Sequence, residues 1–368
     1  MRVVTSSRFG YPVAFAEDAF GESPVLAETL KKVTGSETPR ILIVADMNVV
    51  QRTEGLGSKI GRYVNAHGVS LAGSPVVIAG GEKIKADNLQ SALKVVSAIL
   101  ESRMGRTDCV VAIGGGTLLD VAGYAAAQAR GGVRLVRLPT TPAAMMDAAF
   151  ADYAAVDSLN VKDALRVPSV PDAVVIDFLF ARTVLDGVWR GGIGEAVRQA
   201  AVLDAAFMRK LVKLAAPYRD RDPQALAEVV KGTVAIRGRK GPSGFAEWSA
   251  ARLEAMSGYK LPHGYAVAIA ICLDMAYAVE RGLVREKDRE TVCGVLRECG
   301  ALDGLAHSRH LIGQTDGVLC GLDAWRLSAV QEGLPLPAGL GKLLLEKDPD
   351  RTVYRKVLKD FVSVATDA

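Results

Sequence analysis

A chain of 368 residues is longer than one hydrophobic core comfortably serves, so two domains are expected. With 49% hydrophobic and 23% charged residues, the composition is that of a folded globular protein and excludes a disordered chain. A net charge of only +4, carried by scattered basic residues, leaves no electrostatic footprint for nucleic acid or a membrane, so neither is expected as a partner.

Short apolar runs recur through the first half. Residues 41–44, 75–79, 109–113, 133–138 and 174–176 read as strands, and helical periodicity fills the intervals. It is clearest from Ala86 to Glu101, where Leu89, Leu93, Val96, Ile99 and Leu100 share one face. Alternation of this kind predicts an α/β domain with a parallel sheet over residues 1–177. After Asp177 the character changes. Residues 184–214, 223–234, 247–256, 264–282 and 286–299 are helix-like with hardly a strand between them, which predicts an all-α domain over 178–368. The basic stretch Arg237-Gly238-Arg239-Lys240 reads as a loop. The cysteines, Cys109, Cys272, Cys293, Cys299 and Cys320, contain no C-x-x-C pair, and neither a signal peptide nor a membrane-spanning run is evident. Reduced thiols and a cytoplasmic location are therefore expected.

The most informative turn is Gly114-Gly115-Gly116, between the apolar run Cys109–Ile113 and the helix-like segment from Leu118. Glycines let main-chain N–H groups approach an anion, and a helix start behind them adds partial positive charge. The triplet also suits a plain tight turn. Two further turns follow strands: Asp46 with Asn48, and Gly80-Gly81-Glu82-Lys83-Ile84-Lys85. Both occur where a doubly wound sheet places its ligand, and both also read as ordinary turns with a helix cap. Only four histidines are present, so any metal site must lean on carboxylates. His263, between Pro262 and Gly264 at the start of an apolar helix, is the best of them, though a helix-start histidine needs no metal. Glu195, in Arg190-Gly191-Gly192-Ile193-Gly194-Glu195, and Glu247 at the start of another helix are carboxylate candidates; favourable helix-dipole electrostatics would also account for them.

In this order, the segments from Gly80 to Lys85, Gly114-Gly115-Gly116 with Asp120, Pro139-Thr140-Thr141 with Asp147, Gly194-Glu195-Ala196-Val197 and Leu261-Pro262-His263-Gly264 resemble the dehydroquinate synthase-like sugar phosphate cyclases. Ala125-Ala126-Ala127, Arg134 to Thr141, and Trp248 with Arg252-Leu253-Glu254 look most like the cyclase-like branch of Ebo-type operons. The resemblance implies an N-terminal NAD domain and a helical domain carrying a divalent metal (Zn, Co, Fe or Mn). It further implies a homodimer and a small sugar or polyol phosphate as substrate. Carried over by position, Asp46, Asn48, Glu82, Lys85, Gly115, Gly116, Asp120, Thr140, Thr141 and Asp147 would hold NAD. Glu195, Glu247 and His263 would hold the metal, with Glu247 in the place of a family histidine.

The same resemblance exposes departures. Tyr153 replaces a lysine, Asp163 an asparagine beside the retained Lys162, Arg198 a lysine, Ala251 a proton-relay histidine and Tyr265 a glutamate, while Gly131, preceded by Arg130, takes the place of a phosphate-contacting arginine. One charge pair at about 4 Å is worth roughly 4 kcal/mol at an effective dielectric near ~20, so these changes bear on phosphate recognition. The implied activity is a carbon-oxygen lyase reaction, phosphate elimination with cyclisation, on a substrate other than that of the shikimate pathway. Lys162, Arg198 and Tyr153 are the candidate catalytic residues. An iron-type NAD-dependent alcohol or polyol dehydrogenase, or an inactive NAD-binding homologue, are the alternatives.

Overall fold

The apolar runs at 41–44, 109–113 and 174–176 become strands of one sheet covered on both faces, which removes any need for polar alternation. The computed structural model describes residues 2–4, 10–81, 84–158, 161–328 and 332–364, and the chain divides into two units, residues 1–184 and 185–368. The first contains β1 (Arg2–Val4), β2 (Gly10–Ala16), α1 (Val25–Thr34), β3 (Arg40–Asp46), α2 (Met47–Arg52), α3 (Leu56–His67), β4 (Ser70–Leu71), β5 (Val76–Ile78) and α4 (Gln90–Glu101). It continues with β6 (Cys109–Gly114), α5 (Gly116–Gln128), β7 (Arg134–Pro139), α6 (Pro142–Met146), β8 (Tyr153–Ser158), β9 (Val161–Pro168), β10 (Ala173–Asp177) and α7 (Phe178–Ala181).

The sheet runs in the order β1-β2-β10-β7-β6-β3-β4, with β5 also paired to β3. All its pairings are parallel except β1 with β2. Strand β6 is buried at every position. One face of the sheet, including Ile41, Ile43, Val111, Ile113, Val136 and Val175, packs with Leu26, Leu30 and Ile60 of α1 and α3.

Three features of this unit depart from the sequence reading. In α4 the buried face is Ala92, Val95 and Ile99, whereas Leu93 and Leu100 are 56% and 44% exposed, so the expected leucine face is rotated outward. The antiparallel hairpin β8–β9 was not anticipated. Arg137, on a strand that reads as alternating apolar and basic, is buried and donates to the carbonyls of Ala151 (2.7 Å) and Ser169 (2.9 Å). A planar guanidinium can satisfy several main-chain acceptors at once, which makes its burial tolerable.

The second unit contains α8 (Asp186–Leu203), α9 (Ala205–Arg219), α10 (Pro223–Lys240), α11 (Glu247–Met256), α12 (His263–Glu280), α13 (Glu286–Glu298), α14 (Leu305–Ile312), α15 (Thr315–Ser328), β11 (Leu334–Pro337), β12 (Leu343–Glu346) and α16 (Arg351–Val364). The hairpin β11–β12 corrects the all-α expectation. Asp204 divides the run expected at 184–214, because its extended backbone ends α8 while its carboxylate accepts the Phe207 N–H and caps α9. The stretch Arg237–Lys240 is the last turn of α10, not a loop; its cations suit the negative end of the helix dipole. α7 stays with the first unit, so the division falls seven residues after the expected one (184 − 177).

α12 is buried on all sides from Ala266 to Met275, the mark of a central helix. It approaches α8 through Gly264 and Gly191, whose backbones touch: a Cβ on Gly264 would lie 2.5 Å from the Gly191 Cα. Among the described residues no helix is long and apolar enough to cross a membrane.

Candidate active site

Parallel pairing aligns the carboxyl ends of β3, β6 and β7, so the turns that follow them share one edge. Gly114 closes β6, and Gly115 caps α5 in an extended conformation, bringing no side chain of its own to the helix start. A Cβ on Gly115 would stand 3.3 Å from Thr141 Cγ2, so bare backbone is what keeps this junction open. Thr140 donates its N–H to the Gly114 carbonyl (3.0 Å), and Thr141 caps α6. On the neighbouring strand, Asp46 Oδ1 accepts both the main-chain N–H (2.7 Å) and the side-chain amide (3.1 Å) of Asn48. Gly80 crosses directly over this pair: a Cβ there would lie 2.5 Å from Asp46 Oδ1 and closer still to the Asn48 amide. Asp46, Asn48, Gly80, Gly115, Gly116, Thr140 and Thr141 are thus brought to one edge, and Asp147 follows α6 nearby in the chain. Glu82 lies outside the described residues.

Lys85 and Asp120 make a second cluster. Lys85 Nζ, buried, is 2.8 Å from Asp120 Oδ2 and 2.5 Å from Asp163 Oδ1. Burial opposes the lysine charge, but the two carboxylates outweigh it and hold its pKa well above the ordinary range. For Asp163 the same burial pushes upward, and Lys85 overrides it and holds the carboxyl below its usual value. The hairpin is also tied through its backbone: Asp157 donates its N–H to the Lys85 carbonyl (2.9 Å), and Asp163 donates its own to Asp157 Oδ1 (2.9 Å). Tyr153, at the start of β8, is exposed, with the Arg166 guanidinium 5.0 Å from its ring centre. Lys162 sits on β9, next to Asp163.

The second unit gathers Glu195, Arg198, Glu247, Glu254 and His263. Glu195 and Arg198 are one turn apart on α8 and share a face. His263, at the first position of α12 with its side chain 46% exposed, has Nε2 3.1 Å from Glu195 Oε1 and Nδ1 2.5 Å from Glu254 Oε1. Partial burial works against protonation of the ring. The facing carboxylates, Glu254 foremost, outweigh that and push its pKa up to about 10. Glu247 does not join directly; its Oε1 meets Arg198 NH1 at 3.3 Å, and Arg198 NH2 lies 2.6 Å from Glu195 Oε2.

Glu195 and His263 are therefore adjacent, and Glu247 is linked to them through Arg198. Glu254, seven residues after Glu247 and so on the same face of α11, was not singled out from the sequence. That two-turn spacing was the available signal. Ala251 is exposed on the same helix. Two carboxylates and an imidazole are a suitable donor set for a divalent ion. Glu195 Oε2, sealed from solvent, meets the Arg198 guanidinium as an ion pair at 2.6 Å but receives no aligned hydrogen bond, so it retains acceptor capacity that an ion would use. Among the described residues, no three His, Cys, Asp or Glu side chains already converge as ligands.

A parallel-sheet unit with a glycine-bared strand-to-helix junction at the carboxyl edge of its strands, followed by a mainly helical unit, has the architecture of α/β proteins that bind a ligand at that edge. A family model described as 3-dehydroquinate synthase N-terminal matches residues 75–190. The 3-dehydroquinate synthase of Pyrobaculum islandicum is 32% identical over 243 residues, which is 62% of this chain and 70% of that protein. That of Sulfurisphaera tokodaii is 29% identical over 247 residues, covering 64% and 69%. The fold matches 2-epi-5-epi-valiolone synthase from Streptomyces hygroscopicus, solved with NAD+ and Zn2+ bound, with a TM-score of 0.83 at 24% identity over 99% of this chain and 100% of that one. It also matches 2-deoxy-scyllo-inosose synthase, complexed with carbaglucose-6-phosphate, NAD+ and Co2+, with a TM-score of 0.79 at 18% identity over 98% and 99%. This chain belongs to the dehydroquinate synthase-like sugar phosphate cyclases.

Proposed function

We propose that this member of the family uses NAD and a divalent metal to eliminate phosphate from, and cyclise, a sugar or polyol phosphate other than the shikimate-pathway substrate. The observation that carries the substrate part is the closure of Lys85 by Asp120 and Asp163. A carboxylate at 163 brings negative charge to the hairpin and occupies a cation that would otherwise be offered to an anion. With Tyr153 and Gly131 in place of two further cations, the first unit is short of the charge that an ordinary phosphate subsite uses.

NAD fits the first unit on the evidence of its glycines, since a Cβ at Gly80 would collide with Asp46 and Asn48 and one at Gly115 would press on Thr141, so that bare backbone is what lets these turns close around their polar side chains. The start of α5, behind Gly115 and Gly116, would receive the pyrophosphate. Asp46 and Asp120 are carboxylates suited to ribose hydroxyls, and Lys85 fixes the position of Asp120. Glu195, Glu247 and His263 would hold the metal, and Glu254 fixes the His263 ring through Nδ1 so that Nε2 faces Glu195. When bound, NAD supplies hydride transfer and the ion supplies polarisation of a substrate oxygen. Lys162 would meet the substrate's anionic group and Tyr153 would donate a hydrogen bond or proton to it, whereas Arg198 is engaged by Glu195 and Glu247. The chain is proposed to act as a homodimer in the cytoplasm.

The test is incubation of metal-loaded protein and NAD with the shikimate-pathway heptulosonate phosphate, following phosphate release and carbocycle together. No useful turnover is expected, because each general acid–base group contributes about 10²–10⁴ in rate, and the relay histidine position holds Ala251. Efficient formation of both products would overturn the substrate assignment, and net accumulation of NADH from a polyol would favour the dehydrogenase reading.

A further inference from the structure

We propose that Arg198 is a resident counter-cation of the metal site: its guanidinium spans Glu195 and Glu247, and a divalent ion gains both carboxylates only by displacing it. This rests on the reading that Glu195, Glu247 and His263 are the ligands. Arg198 is 3% exposed, lies one turn beyond Glu195 on α8, and reaches Glu195 Oε2 at 2.6 Å and Glu247 Oε1 at 3.3 Å. The guanidinium thus holds one oxygen of each carboxylate, and because ligand oxygens approach such ions to about 2.0–2.2 Å, an ion gathered by both carboxylates would face this cation at close range. A fork donor and an ion cannot both take the same lone pairs on these two carboxylates. The sequence change behind this is specific. A lysine ends in a single ammonium, whereas arginine is planar and presents several donors, so it can hold two carboxylates simultaneously. Glu254 keeps the His263 ring in place independently of Arg198, so one ligand pair, Glu195 with His263, is already held together while the third is withheld. Occupancy by metal is then set by this competition as well as by the ligands.

The experiment is a Co2+ titration of the purified full chain, read by calorimetry and by the visible absorption of the bound ion. Arg198→Met removes the competitor while keeping bulk; changes to groups that touch a metal's ligands shift affinity by about 10–100-fold, and here the shift should be towards tighter binding. Arg198→Lys, which retains a charge but not the fork, should also bind Co2+ more tightly than the parent and carries the test if the methionine variant does not fold. Equal or weaker Co2+ binding by the folded variants, with a parent that loses Co2+ on Glu195→Ala, overturns the competition and leaves the ligand set standing. Failure of both the parent and Arg198→Met to bind Co2+, or binding indifferent to Glu195→Ala, overturns the ligand set and this inference with it.

Discussion

Gly264→Ala should loosen the second unit and its site together, through one added methyl group. The new Cβ would lie 2.5 Å from the Gly191 Cα and 2.6 Å from its carbonyl oxygen, both main-chain atoms that cannot turn aside. Carbon atoms pack best at about 3.5–4.0 Å, so α8 and α12 must part by roughly 1 Å at this point. Overpacking of this kind costs about 1–3 kcal/mol. The helix-propensity gain of alanine offsets little, because Gly264 is only the second residue of α12. For a unit of this size each kcal/mol moves Tm by about 2–4 °C, so a fall of roughly 2–12 °C is expected by calorimetry. The same displacement pulls His263, the preceding residue, away from Glu195, four residues after Gly191, and opens the 3.1 Å contact. In metal-free protein the His263 pKa should therefore drop from about 10, read by NMR titration. Because that pKa is raised above the ordinary value of about 6.5, the contact's contribution to stability is complete below the ordinary value and fades as pH rises through the folded one. The Tm gap between parent and variant should accordingly narrow in alkaline buffer. An unchanged Tm with an unchanged His263 titration would refute the argument that backbone contact between these glycines positions the site.

Gly115→Val should abolish NAD binding by calorimetry with circular dichroism unchanged, because the side chain would press on Thr141 and cover the start of α5; undiminished affinity would move the pyrophosphate elsewhere. Asp274, buried in α12 and accepting from Trp248 Nε1 (3.1 Å) and Tyr354 OH (2.9 Å), has its pKa raised by burial to about 7. A raised carboxyl pKa means stability that is full below about 4 and is lost as pH rises through about 7. Asp274→Asn should flatten that decline in denaturant titrations and leave the variant the more stable protein at pH 8; a parallel pH profile for the two proteins would assign the decline to other groups.

The parts of the fold legible in the sequence were those governed by local pattern. The run Cys109–Ile113 is buried at every residue, and an uninterrupted apolar strand needs no partner to be recognised. Glu247 opens α11 and His263 opens α12, as their neighbours indicated. What could not be read depends on pairing across the chain. Arg137 looks like a solvated strand residue until the carbonyls of Ala151 and Ser169 close over it. The hairpin β8–β9 carries a register irregularity between Val156 and Ser158 that breaks the alternation by which strands are found. Among the candidate site residues, Glu195 and His263 could be picked out one by one as candidates, but the interposition of Arg198 between Glu195 and Glu247 joins residues 49 positions apart and has no local signature.

The contact of Lys85 with Asp163 has a bearing on how such a site changes over time. Aspartate and asparagine codons differ by a single base, and the backbone at 163 has a φ of +53°, a conformation that asparagine adopts as readily as aspartate. One base change therefore separates a lysine clasped by two carboxylates from a lysine held by Asp120 alone, with the hairpin's main-chain bond from Asp157 to the Lys85 carbonyl untouched. Along that path the local charge beside Lys85 steps by one unit, and the main-chain contacts that hold the hairpin there do not involve the side chain that changes.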